Sequence, residues 1–318
     1  MSGHPAVDRS RDTRIAGVEV ATATVVGATH RHRHQGCEDA VGWVDVTSGD
    51  VLAIVAVADG HSDPRCTRSA VGARFVVTAA SDLAYDPAVT GEEWSTALIE
   101  GWRRLVDQDL RTRRLTVAEY DAPGGSDLRV NPRLAYGTTA LLARISRDAI
   151  ALAQIGDGDI VGVTAEGRAE RPVPIAAGAP DLTESMSQID ADRIVRRSTI
   201  AAAASPVLLL LATDGLDNAY PTSEALPAAA AQLVTTRGSG RFDRDVLQRW
   251  VEDAAEVSGD DATLAAVWID LSAADGGSER AGAVAPDATT VPDATTAAGV
   301  TTVPDATTAA DATTAPAR

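Results

Sequence analysis

The 318-residue chain contains no lysine; all 28 of its basic side chains are arginine. We read this as a bias of GC-rich coding sequence rather than a mark of function. Against 45 acidic side chains the arginines leave a net charge of −17. Phosphate backbones and anionic bilayers need a basic surface, so neither nucleic acid nor an anionic membrane is expected as the main partner. Cysteine is scarce as well: Cys37 and Cys66 cannot make a disulfide framework and are expected as buried, inert thiols. Long apolar runs are missing. Val51–Ala58 and Val207–Ala212 are strand-sized, far short of the roughly 20 residues of a membrane span. The start, Met1–Arg14, is polar, with no apolar stretch behind it, and does not read as a secretory signal. The expectation is a cytoplasmic protein, working as a monomer.

Three regions follow from composition: a flexible N-terminus (1–14), a folded body (15–271) and a disordered tail (272–318). In the tail the string PDATT occurs at Pro286–Thr290, Pro292–Thr296 and Pro304–Thr308. Such a segment buries too little apolar surface to offset its chain entropy. Within the body, Gly17–Gly27, Val51–Ala58, Thr138–Ile145, Ala149–Ile155, Ile160–Thr164, Val207–Ala212 and Leu264–Ile269 read as strands. The short links between Thr138 and Thr164 imply antiparallel neighbours. Ser69–Tyr85, Glu92–Arg114 and Asp243–Val257 read as amphipathic helices, the last with Val246, Leu247, Trp250, Val251 and Ala254 inward and stopped by Gly259. The fold class is therefore α+β, with packed sheets and helices outside them.

Acids recur where the apolar strands end. Asp39 follows a segment rich in His and Arg; Asp59 ends VLAIVAV; Asp157 and Asp159 follow ALAQIG; Asp214 ends LLLLA; Asp260 and Asp261 precede the last strand. Carboxylates converging at a sheet edge repel one another unless a cation sits among them. Oxygen-only ligand sets select hard cations such as Mg²⁺ or Mn²⁺.

The order of these acids resembles the metal-dependent protein phosphatases of type 2C, the PPM family, in a bacterial form. The matching strings are CEDA (Cys37–Ala40), VADGHS (Val57–Ser62), SAVGAR (Ser69–Arg74), GTTA (Gly137–Ala140), IGDGDI (Ile155–Ile160), LLATDG (Leu210–Gly215) and GDDATL (Gly259–Leu264). The resemblance implies an αββα sandwich of two stacked antiparallel sheets flanked by helices, with two Mn²⁺ or Mg²⁺ ions and a third, weaker one at the sheet edge. It implies Asp59 bridging the two ions, the Gly60 carbonyl on one, Asp214 and Asp260 on the other, Glu38 and Asp39 in support, and Asp157 at the third. It further implies phosphoserine/phosphothreonine protein hydrolysis in bacterial signalling, on proteins phosphorylated by a Ser/Thr kinase. The resemblance also implies that a hydroxide shared by two ions roughly 3.5–4 Å apart would attack phosphorus in line, without a phosphoenzyme. His61 matches the proposed general acid for the leaving alkoxide.

Two positions depart from the family pattern. His34 stands where relatives carry a phosphate-binding Arg, so Arg33 or His34 is expected to meet the substrate phosphate. Ser62-Asp63 replaces the usual Gly after the histidine. These departures support the alternative of a catalytically weak or inactive pseudophosphatase that binds phosphoproteins as a regulator. His30, His32 and His34 alternate, so a strand there would put all three on one face, as a transition-metal site or a basic segment beside the phosphate pocket.

Overall fold

The computed structural model describes residues 14–15, 17–46, 50–84, 93–174, 184–237 and 244–271. All but the last residue of the expected N-terminal segment, and the repeat tail from residue 272, lie outside these. One sheet has six strands in the order β1 (Arg14–Ile15), β2 (Val18–Val25), β11 (Ala262–Ile269), β10 (Leu208–Ala212), β7 (Asp159–Val163), β8 (Ala169–Glu170). The other has five: β3 (Ala40–Asp45), β4 (Val51–Ala58), β5 (Ala140–Ser146), β6 (Ala149–Ile155), β9 (Arg196–Ala201). Pairing is antiparallel throughout both sheets. The helices are α1 (Ala28–His32), α2 (Ser69–Ala84), α3 (Glu93–Thr112), α4 (Val117–Asp121), α5 (Ala191–Ile194), α6 (Asp214–Asp217), α7 (Ala225–Arg237) and α8 (Arg244–Ser258).

The period-2 geometry of β4 explains the layering. Val55 and Val57 face the other sheet and, with Leu141 of their own, join its Leu211, Ala265 and Val267. Ile54, Ala56 and Ala58 face outward, onto Val76 of α2 and Leu98 and Trp102 of α3. Covered on both faces, β4 has no use for polar residues and reads as a continuous apolar run. The six-stranded sheet is capped the same way: Leu208, Leu210 and Leu264 pack against Leu226 of α7 and Leu247 and Val251 of α8. Each such aliphatic side chain contributes about 1.5–3 kcal/mol by leaving water. The result is the expected αββα order.

Helix α3 buries Trp94, Leu98 and Trp102, spaced four apart on one face. Trp102 Nε1 donates to the Gly72 carbonyl at 2.9 Å, fastening α3 to α2. Gly259 adopts φ +79° behind α8, as its stop requires.

Three expectations need correction. The strands β6 and β7 are close in sequence but do not pair: β6 pairs with β5 and β9, whereas β7 pairs with β10. The Gly156–Gly158 link, with Gly156 at φ +99°, carries the chain from one sheet to the other. The segment holding His30, His32 and His34 is helical through His32, not a strand. His30 is buried, while His32 and His34 are exposed, so the three share no face. Val246, expected to point inward from α8, is 41% exposed.

Candidate metal centre

Strand register gathers the acids at one edge. Ala40 pairs with Ala58, so Asp39, before β3, and Asp59, after β4, emerge together. In the other sheet Ala212 pairs with Leu264 and with Asp159, which brings Asp214, the 260–261 turn and the 157 turn to the same edge. The GTTA string clamps Asp59: its carbonyl accepts Thr139 N–H at 2.8 Å and the Thr138 hydroxyl at 2.7 Å, and its own N–H donates to Thr139 Oγ1 at 2.9 Å. The two glycines that follow the acids permit close approach. A Cβ on Gly60 would lie 2.7 Å from the Glu38 carbonyl oxygen, and one on Gly215 would collide with the Asp261 carbonyl.

The carboxylates act strongly on one another. Burial, then the charges of Asp39 and Asp214, push the Asp59 carboxyl well above the usual range. Asp39 is pushed the same way by burial and by Asp261. Asp214 is raised by burial and by Asp157, and Asn218 Nδ2 donates to its Oδ2 at 3.1 Å. Glu38 is raised mainly by burial; His30 and the Ser69 hydroxyl partly offset this, while Asp261 and Asp260 add to it. Asp59 and Asp214 are close enough for the Asp214 charge to act on Asp59. Glu38 Oε2, Asp39 Oδ1 and Asp214 Oδ1 are buried without any hydrogen-bond partner. Buried carboxylate oxygens with no donor are costly, and a hard divalent cation would satisfy them. The residues fit such an ion in kind and charge. Even so, among the described residues no three His, Cys, Asp or Glu side chains already form a set able to hold a metal.

Of the residues expected here, Glu38, Asp39, Asp59, Gly60, Asp214 and Asp260 come together. Asp157 is exposed, yet near enough to raise Asp214 and to act on His61. His61 is held by its N–H to the Gly137 carbonyl at 3.1 Å, and its Nε2 is buried without a partner. Burial pushes its pKa down, against Asp157 and Asp63. Arg33 and His34 end α1, both exposed, His34 at φ +56°; neither is drawn into the carboxylate cluster. Asp159 stands apart, bound through both oxygens by Arg171 at 2.7 and 2.6 Å. The thiols are free and half-buried; burial pushes Cys66 up to about 12 and Cys37 further still.

Sequence reasoning missed the residues that hold the acids. Besides Thr138 and Thr139, these include Thr213, whose hydroxyl donates to Asp39 Oδ2 at 2.9 Å while accepting Thr263 N–H at 2.9 Å. The strings GTTA and ATDG contained them, but no local pattern says that a threonine hydroxyl will meet the main chain or the carboxylate of a distant Asp.

Comparisons with known proteins bear on the family and the fold. The sequence profile of protein phosphatase 2C matches residues 26–252. The chain therefore belongs to the protein phosphatase 2C family and is a protein-serine/threonine phosphatase by that membership. Curated protein sequences give no significant match. Among solved structures, PppA, a key regulatory component of T6SS in Pseudomonas aeruginosa, is 16% identical, with TM-score 0.54 over 80% of this chain and 99% of its own. The S. agalactiae serine/threonine phosphatase is 18% identical, with TM-score 0.54 over 80% of this chain and all of its own. The catalytic domain of serine threonine protein phosphatase PstP, in complex with two manganese ions, is 15% identical, with TM-score 0.50 over 80% of this chain and 98% of its own. At these identities the structures establish the shared fold. No helix among the described residues is long and apolar enough to cross a membrane.

Proposed function

We propose that the chain hydrolyses phosphoserine and phosphothreonine in proteins with the help of Mn²⁺ or Mg²⁺. The observation that carries this reading is the set of buried, donor-less oxygens on Glu38, Asp39 and Asp214 beside Asp59. Asp59, the Gly60 carbonyl, Asp214 and Asp260 would hold two ions, with Glu38 and Asp39 in support and Asp157 at a third. When bound, divalent ions lower the pKa of water and offset charge on phosphoryl oxygens.

The chain's own residues do the rest. The clamp on the Asp59 main chain by Thr138 and Thr139 sets where its side chain leaves the sheet edge. His61 supplies a proton to the leaving alkoxide from its unpartnered Nε2. Burial favours its neutral form, and a phosphate dianion beside it would favour the charged one. Arg33 and His34 are free to swing onto a phosphate from the end of α1. We place the activity in the cytoplasm of a bacterium, on the products of a Ser/Thr kinase, in a monomer.

The test is hydrolysis of p-nitrophenyl phosphate and a phosphothreonine peptide in EDTA, Mg²⁺ and Mn²⁺. Metal-stimulated turnover, lost in Asp59→Asn and Asp214→Asn, is the expected outcome. A folded, Mn²⁺-binding protein that never turns over would favour the alternative, a phosphoprotein-binding regulator.

A further inference from the structure

Asp261, the neighbour of the proposed ligand Asp260, has no part in the reading above, yet it is only 3% exposed. Both of its oxygens are engaged. Oδ1 accepts the Gly27 N–H at 2.7 Å, and Oδ2 accepts the Glu38 N–H at 2.7 Å. Oδ2 also lies 2.9 Å from Nδ1 of His30, itself 5% exposed. That nitrogen makes no hydrogen bond, so the contact is one of close approach. One carboxylate thus joins the chain ahead of α1, the body of α1 and the acidic pair before β3.

Placing another carboxylate among Glu38, Asp39, Asp59 and Asp214 is costly unless donors compensate it. Here two main-chain amides and an imidazole face it. The Glu38 amide matters most, because it belongs to the residue whose Oε2 is buried without a partner. Holding that peptide unit sets the direction in which the Glu38 side chain leaves the backbone. Thr213 repeats the layout: it precedes Asp214 and holds Asp39 by a hydrogen bond of 2.9 Å. Each of the two proposed ligands from the six-stranded sheet is therefore flanked by a residue that fixes one member of the acidic pair.

We propose that Asp261 is a positioning residue. It aims the Glu38 carboxylate at the cation site through the Glu38 amide, and His30 holds Asp261 from behind. The inference rests on the reading of this edge as a divalent-cation centre.

Calorimetric titration of Mn²⁺ into the metal-stripped full chain tests it. Partners that orient a ligand typically carry about 10–100-fold in metal affinity. Asp261→Asn and Glu38→Gln are each expected to weaken binding on that scale, with far-UV circular dichroism unchanged. The double variant is expected to bind no more weakly than the weaker single one, because both changes disable the same arm. The proposal is overturned if Asp261→Asn or Glu38→Gln stays within about twofold of the parent chain, or if the two losses multiply. A parent chain that binds no Mn²⁺ overturns both the cation centre and this inference; a binding parent with an indifferent Asp261→Asn overturns the inference alone. Should Asp261→Asn fail to fold, His30→Gln carries the test: it keeps both amide bonds, weakened Mn²⁺ binding supports the proposal, and unchanged binding overturns it.

Discussion

Asp59 and Asp214 follow strands of two different sheets, β4 and β10, and meet at one edge, where the charge of Asp214 pushes the Asp59 carboxyl up. Burial adds to this repulsion and raises both carboxyls, so protons are hard to remove from this edge. The edge of the sandwich is therefore a place where negative charge has been concentrated against its own electrostatic cost.

That cost predicts how stability depends on pH. Asp39, Asp59, Asp214 and Glu38 all have folded pKa values raised by burial, and Asp45 and Asp217 are pushed up to about 6. Such groups bind more protons folded than unfolded. Their ionisation therefore removes stability as pH rises from about 4 through the raised values. In EDTA the melting temperature is expected to fall by several degrees between pH 5 and pH 8. Mn²⁺ at about 100 times its Kd would restore about 2.7 kcal/mol and flatten the curve. A melting temperature that climbs with pH in EDTA would contradict the assignment.

The role proposed for His61 predicts a dependence on the leaving group. p-Nitrophenolate departs without a proton, whereas a serine or threonine alkoxide needs one. His61→Gln is expected to lower turnover of a phosphothreonine peptide by about 10²–10⁴-fold, the usual range for a general acid. Turnover of p-nitrophenyl phosphate should change far less. Equal losses on both substrates, measured side by side, would remove His61 from the proton transfer.

Arg68 predicts how the segment after α3 is held. Its guanidinium donates to Glu119 Oε1 at 2.7 Å, to the carbonyls of Arg113 and Arg114 at 2.6 and 3.0 Å, and to the Tyr136 hydroxyl at 2.7 Å. Burial disfavours ionised Glu119, but Arg68 and the Thr116 cap hold it down to about 2. A carboxyl depressed in this way contributes stability above about pH 4 that is lost as pH falls toward 2. Arg68→Met is expected to speed limited proteolysis within residues 113–131 while the rest of the chain keeps its protection. Unchanged cleavage there would show that other contacts fix the segment.

How much of this was legible in the sequence depended on burial. β4, covered on both faces, announced itself by an unbroken apolar run, and α3 by its four-residue spacing of Trp94, Leu98 and Trp102. β9 did not: Arg196–Ala201 alternates between half-buried and exposed, with two arginines at its start. α7 is alanine-rich with Pro227 in its first turn, and shows no apolar stripe to mark a helix. The turn from β6 to β7 looked like a hairpin because sequence distance cannot say which sheet a strand joins. At the site, the acids were legible because Asp beside Gly after an apolar run is a local signal. Thr213 and Asp261 were not, because their meaning lies in partners from distant parts of the chain.

The strand order has a consequence for a chain still being made. Four strands of the five-stranded sheet, β3 to β6, precede residue 156, so that sheet is largely in hand early. β2, by contrast, lies between the two-residue β1 and β11, so its long partner is the last strand of all. Asp59 thus emerges from the ribosome well ahead of Asp214 and Asp260. On the proposed ligand set, a chain that stops before Asp260 holds the five-stranded sheet's acids without the full set of their partners from the other sheet.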